Sequence, residues 1–313
     1  MLDFKTLKEM FKNDDPYVRR EACGATAEAR SQESIPYLVS ALADENLGVK
    51  EAALNALTSI GGSDVAEAVA PLLRSEDATL RNIGVEILSG IGPAAIRPLE
   101  GLLNESDDDV VKFAVDIIAG IKDVSSAGFL LSLIRHPNPN VRVSVAVCLG
   151  KLQANGALGA LLGLLKDSEE WVRFSAIEGI GLLEDRRALN PLMEIISEDV
   201  SGLLKDAALD SIGRIASTED AIRILSTVER LMKKGQIFTV KTVVELLEKS
   251  GMPGSNFKPS NEFKETFYGF FSQALKEESD KSARLKALKG LAFLKFAKGI
   301  QRAMDYADTL IDI

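Results

Sequence analysis

Apolar and polar residues alternate along this chain in a pattern that repeats about every 31 residues. Its clearest instance runs from Pro139 to Gly150. There an apolar residue is followed by a basic one, a small or apolar residue stands four places on from the first, and a Leu-Gly pair closes the segment. The apolar–basic pair falls at Val18-Arg19, Val49-Lys50, Leu80-Arg81, Val111-Lys112, Val141-Arg142, Val172-Arg173 and Leu204-Lys205, in steps of 31, 31, 31, 30, 31 and 32 residues. Six near-equal intervals are the mark of an internal repeat. Counting each apolar member as position 0, position 4 holds Ala22, Ala53, Gly84, Val115, Val145, Ala176 and Ala208. These mostly small residues predict close approach by a neighbouring helix.

A second apolar column runs through Phe11, Leu42, Leu73, Leu103, Ile134, Leu165 and Ile196. It closes short segments whose apolar spacing is helical. Pro36, Pro98 and Pro191 lie near the starts of such segments, where a missing N–H costs little. Pro71 comes later in its segment and predicts a kink or a delayed start. Between the two segments of each unit stand acidic turns: Asp14-Asp15-Pro16, Asp44-Glu45-Asn46, Glu76-Asp77 and Asp107-Asp108-Asp109. Carboxylates there cap the second helix and suit its dipole. Each unit reads as helix, acidic turn, helix and short Gly-containing link, and because neither helix buries its apolar face alone, the units must stack.

The Asp…Val-Arg-x-x-Ala-x-x-x-Leu-Gly pattern resembles HEAT repeats in the short form of about 30 residues found in phycobilin-lyase-like proteins. The expected fold is all-α, a right-handed α-solenoid of about eight or nine HEAT-like helical hairpins. Residues 1–216 read as seven regular repeats. Residues 217–313 read as degenerate repeats and a C-terminal helical cap, continuous with the solenoid. Within that second part, helices are predicted at about 219–232, 237–249, 261–276, 282–296 and 299–312, with a break over 250–260 where Gly and Pro cluster.

In such stacks the second helices line the concave face. At 100° per residue, positions 0, 4, 7/8 and 11 form the buried stripe, and positions 2, 5, 6 and 9 point away from it. The outer repeats are polar at positions 2 and 6, but the middle ones carry Phe113, Ile117, Val143, Val147 and Phe174, with Ala146 and Ile177 at position 5. Gly120, Gly150 and Gly181 at position 9 predict a low floor. Glu51, Glu86, Asp116, Glu178, Asp206 and Asp210 form an acidic rim. Apolar patches rimmed by polar groups mark binding sites, so the expected ligand is an apolar segment of another protein with basic flanks. The competing occupants are a neighbouring helix, the C-terminal tail, or a second copy forming a homodimer.

Composition narrows the alternatives. A net charge of -9 opposes a phosphate backbone, so nucleic-acid binding is disfavoured. The basic column is expected to pair with turn acids of adjacent units instead of forming a phosphate stripe. Two cysteines, Cys23 and Cys148, are too few for a disulfide scaffold and fit a reducing compartment. No signal-peptide core and no run of membrane-spanning length stands out, which predicts a cytoplasmic protein. His136 is the sole histidine and lies in a turn, and no His-Glu pair of the iron-holding HEAT-like hydroxylases exists. No cofactor or metal site and no catalytic constellation emerges. The expected role is a non-enzymatic scaffold or adaptor. The resemblance to phycobilin-lyase subunits implies, as an alternative, a chromophore-lyase subunit or a binder of a bulky apolar ligand. Trp171 reads equally as packing or as an interface residue.

Overall fold

A computed structural model describes residues 3–154, 156–198, 201–235, 238–251, 259–277 and 281–294. Among these, the regular secondary structure is entirely helical. The chain divides into two compact units, 1–157 and 158–313. That division lies inside the seven regular repeats, at a different place from the change in sequence regularity at residue 216.

In unit 1 the helices are α1 (Phe4–Met10), α2 (Pro16–Ala29), α3 (Ile35–Ala41), α4 (Leu47–Ile60), α5 (Gly62–Val69), α6 (Ala78–Ile91), α7 (Ile96–Leu102), α8 (Asp108–Ile121), α9 (Ala127–Ser132) and α10 (Pro139–Leu152). α11 (Ala157–Leu164) begins at the division. Unit 2 contains α12 (Glu170–Leu183), α13 (Leu189–Ser197), α14 (Gly202–Ile215), α15 (Thr218–Lys233), α16 (Val240–Lys249), α17 (Asn261–Glu277) and α18 (Lys281–Phe293). The second helix of each regular repeat is 14 residues long in every case, from α2 to α14. The equal repeat spacing is thus an equality of helix length.

The capping chemistry is local and recurrent. Side chains of Asp15, Asn46, Asp77, Asp107, Asn138 and Ser201 accept backbone N–H groups at the starts of their second helices, satisfying donors that the first turn would leave unpaired. At the other end, except at α14, the chain turns through positive φ. Gly61 and Gly92 do this as glycines, but Arg30, Lys122, Gln153 and Glu184 adopt the left-handed conformation without one. The Gly-containing link expected from the sequence is therefore only one of two solutions. Pro71 acts as anticipated: α5 ends at Val69 and the chain continues as a 3₁₀ turn over Ala70–Arg74, because proline cannot supply the helical N–H. The helix starts early, at Gly62, so the effect is a break and not a delay.

Hairpins pack in two layers within each unit. In unit 1, α2, α4, α6, α8 and α10 pack in succession, as do α3, α5 and α7. In unit 2 the succession is α12, α14, α16 and α18, with α15 against α17. The alternation therefore persists through the part of unit 2 whose sequence repeat is degenerate. Position 4 is buried in all seven repeats, as predicted. At Gly84 a Cβ would come 3.2 Å from the Leu72 Cβ, so α6 sits close on the chain before it. The α17–α18 hairpin uses a different core: Phe263, Phe267 and Phe271 form one row, with ring centroids 4.4 Å and 6.5 Å apart, and Gly290 lies against the Phe271 ring. The helices predicted at 261–276 and 282–296 correspond to α17 and α18. The one predicted at 299–312 and most of the 250–260 break lie outside the described residues.

Candidate functional site

The arginines of the basic column are committed to the fold. Arg19 makes a two-pronged ion pair with Asp44 in the turn of the following repeat, at 2.7 and 2.8 Å, which holds the Asp44 carboxyl below its usual range. This is the pairing the sequence suggests. The role common to the arginines is another one. Arg19, Arg81, Arg142 and Arg173 each donate through Nη1 to two carbonyls of their own turn, five and six residues back. Each guanidinium therefore closes its own hairpin. Lys112 pairs with Asp116 at 2.6 Å, and Lys205 is buried.

Further polar links join successive repeats in the same register. Arg74 pairs with Glu105, Asn138 donates to Asp108, Ser201 bonds Glu170, and Arg186 pairs with Asp220. His136 accepts from the Asn138 N–H at 3.2 Å and lies 3.8 Å from Asp108, as a turn residue. Cys23 and Cys148 are buried, and burial pushes both thiols up to about 12. At that value they are protonated and inert near neutrality. Among the described residues, no group of three or more His, Cys, Asp or Glu is arranged to hold a metal ion, and no helix is long and apolar enough to cross a membrane.

The residues expected to form one apolar groove divide between the units. Phe113, Ile117, Val143 and Val147 belong to unit 1, with Glu86 and Asp116; Phe174 and Ile177 belong to unit 2, with Glu178, Asp206 and Asp210. Phe113, Val143, Val147 and Phe174 are half-buried at position 2 or 6. Three expectations need correction. Ile117 is only 3% exposed, because it falls on the buried row Val110–Ala114–Ile117 of a helix packed against both α6 and α10. Ile177 is 1% exposed and Ala146 is fully buried, so position 5 does not face outward in these two repeats. The reason is general: a second helix in a stack meets its hairpin mate and also a neighbour on either side. Its covered arc is therefore wider than a single amphipathic stripe.

The third correction concerns the glycines. Gly150 and Gly181 are buried. A Cβ on Gly181 would lie 2.5 Å from Ser211 Oγ and 3.1 Å from Ser211 Cα. The Ser211 hydroxyl donates to the Ile177 carbonyl at 2.9 Å. Gly181 thus lets α14 approach α12, and it lowers no groove floor.

Unit 2 does bring part of the expected site together. A cleft of about 290 Å³ opens between α12, α14 and the start of α16, lined by Phe174, Glu178, Leu203, Asp206, Ala207, Asp210, Ser211, Arg214, Thr239 and Lys241. Four of these, Phe174, Glu178, Asp206 and Asp210, come from the sequence reading. Asp210 accepts from Lys241 Nζ at 3.2 Å and from the Thr242 hydroxyl. Burial raises the Asp206 carboxyl above its ordinary range; the backbone N–H of Thr239 works against this, and the charge of Asp210 adds to it.

Leu203, 56% exposed on the cleft wall, is absent from the expected set, and Trp171, which the sequence leaves even between packing and interface, is 51% exposed. Both occupy position −1, which falls beside positions 2 and 6 on the helical wheel. Tabulating one residue before the apolar member would have found them.

The HEAT repeat family matches residues 4–89, 96–178, 127–213 and 159–248. The last three matches begin about one repeat apart, as a periodic chain requires. A curated relative, "Uncharacterized phycocyanin operon protein Z" of Pseudanabaena tenuis (strain PCC 7409), is 23% identical over 216 residues, which is 68% of this chain and 96% of that protein. A crystal structure of importin beta superposes with a TM-score of 0.62 at 11% identity, covering 96% of this chain and 49% of that one, so the chain spans about half the importin's length. The complex of CpcE and CpcF of phycocyanin lyase from Nostoc sp. PCC7120 gives a TM-score of 0.44 at 20% identity, over 47% of this chain and 96% of that chain. The likeness to importin beta is one of fold, an all-α solenoid, and with the periodic match over most of its length this chain belongs to the HEAT repeat family.

Proposed function

We propose that this protein is a non-enzymatic scaffold or adaptor that binds a segment of another protein across the open face of the second helices of unit 2. The observation that carries the reading is the cleft, where half-buried Phe174 and exposed Leu203 stand beside Glu178 and Asp206. Apolar side chains next to carboxylates suit an apolar segment with basic flanks, and a helix laid in a groove is a common way to supply one. A cytoplasmic location belongs to the same reading, since two buried free thiols suit a reducing compartment.

The test is a Phe174→Asp, Leu203→Asp double variant of the full chain. The expected result is loss of proteins captured from the native lysate, with thermal melting near that of the unaltered protein. Unchanged capture, or a variant that does not fold, counts against the proposal.

A second reading has one observation in its favour: the relative from a phycocyanin operon matches across almost its whole length. On that reading the chain is a subunit acting on a bilin or another bulky apolar ligand. Mixing the purified protein with a linear tetrapyrrole and recording the visible spectrum tests it. An unaltered spectrum removes this alternative.

A further inference from the structure

The open face of α12 and α14 around the unit 2 cleft has an order to it. On α14, positions −1, 2 and 6 are Leu203, Asp206 and Asp210; on α12, the same positions are Trp171, Phe174 and Glu178. The exposed face is thus apolar at the N-terminal turns and acidic further along both helices. Its charged groups are not equally available. Asp210 is engaged by Lys241 and Thr242 on α16. Arg214 is exposed, one turn beyond Asp210, and Glu178 is exposed on α12. Asp206 differs from all of these. It is half-buried, and its Oδ1 is buried without a hydrogen-bond partner.

An ionised oxygen in that position is costly, and buried polar atoms in folded proteins are nearly always paired. The cleft offers three carboxylates against two bases, and one of the bases is already spent on Asp210. What remains is complementary to a cation. We propose that Asp206 recognises a single lysine or arginine of the bound segment, deepening the protein-binding reading on which it rests. The alkyl stem of that residue lies over Phe174 and Leu203, and its charged head meets the Asp206 carboxylate from the cleft side, away from the enclosed Oδ1, with Glu178 as the outer contact. Long basic side chains divide their stems and heads in this way, and a charge-assisted hydrogen bond is the strong form of the interaction. A ligand presenting an anion at this point meets Asp206 unfavourably.

The free protein carries a consequence of enclosing Asp206 Oδ1 without a hydrogen bond. The folded chain holds this carboxyl above its ordinary range, chiefly through burial. Between the unfolded and folded pKa values the folded state therefore binds more protons than the unfolded one. Stability accordingly falls as pH rises through that window. Asp206→Asn removes the penalty. Its melting temperature is expected to exceed that of the unaltered protein near pH 7, and the difference is expected to close on acidification toward about pH 4. A lower melting temperature for Asp206→Asn at pH 7 means that the carboxylate supports the fold, and overturns the proposal.

Binding is read through Trp171, the only tryptophan in the chain and a helical neighbour of Phe174. The probes are an acetylated amphipathic peptide of leucine and lysine, about 14 residues long (roughly four helical turns), and its leucine–glutamine counterpart. The lysine peptide is expected to shift Trp171 emission with roughly tenfold or greater preference over the glutamine peptide. Asp206→Asn is expected to reduce that preference to about twofold or less.

Equal affinity for both peptides, lost in Phe174→Asp, overturns the role of Asp206 while the docking face stands. No response to either peptide overturns both. A Trp171 shift on concentrating the protein alone places a second copy in the cleft and also overturns the proposal.

Discussion

Helices α8 and α12 look interchangeable in sequence register and are put to different uses. Each is 14 residues long, with Phe at position 2, Gly at position 9 and a left-handed residue closing it. In α8 the buried positions are −1, 0, 3, 4, 6, 7 and 8, which leaves Asp116 at position 5 in solvent. In α12 they are 0, 3, 4, 5, 7, 8 and 9, which leaves Glu178 at position 6 in solvent. The two helices share a central stripe and extend it in opposite directions around the cylinder. The free face of a stacked helix is thus set by which neighbour presses closer, and helical periodicity does not report that.

The largest expected effect breaks the comparison at its buried residue. Ile117→Asp places an unpaired carboxylate in the α8 interface, and a loss of about 4 kcal/mol or more is expected, read as loss of the cooperative melt. Phe174→Asp on α12 removes only a half-buried side chain, so its cost is expected near 1 kcal/mol. Equal destabilisation by the two would show that Phe174 is a core residue and that the cleft is closed.

A smaller effect of opposite sign separates the position-9 glycines. Gly181→Ala drives a methyl into Ser211 and is expected to cost about 1–3 kcal/mol. Gly120 is exposed, with nothing within 4 Å of where a Cβ would stand. Gly120→Ala is therefore expected to stabilise by roughly 0.5–1 kcal/mol through backbone entropy. Chemical denaturation midpoints of both variants check the pair, and matching signs would refute the account of the α12–α14 contact.

The smallest effect concerns what the two helices share. Lys122 and Glu184 hold φ values of 61° and 53° at their C-caps, where a Cβ is unfavourable. Lys122→Gly and Glu184→Gly are each expected to raise stability by about 0.5–1 kcal/mol. The measurement is the same denaturation midpoint, and the gains should be similar because the strain is local to each turn.

Local chemistry was the legible part of this molecule. The turn residues that cap the second helices, the break at Pro71 and the buried position 4 all depend on neighbours a few residues away, and they stand where the sequence puts them. The candidate site was legible in fragments. Phe174, Glu178, Asp206 and Asp210 meet around one cleft, whereas Ile117 and Ile177 are buried in helix contacts and Gly181 serves helix approach. Leu203 is not legible as a cleft residue because a leucine next to an apolar stripe looks like part of it. The continuation of the two layers through α17 and α18 is harder to read, because there phenylalanine rings replace the small residues that mark the repeat.

The sequence by itself determined that the chain is a run of helical hairpins with 14-residue second helices, since period, caps and breakers act within a single hairpin. Tertiary structure alone decided which side of each helix stays open and which carboxylate oxygen, Oδ1 of Asp206, is left without a hydrogen bond. Those outcomes depend on how closely α12, α14 and α16 approach one another. That distance is set by contacts such as Gly181 on Ser211, between residues 30 places apart in the chain.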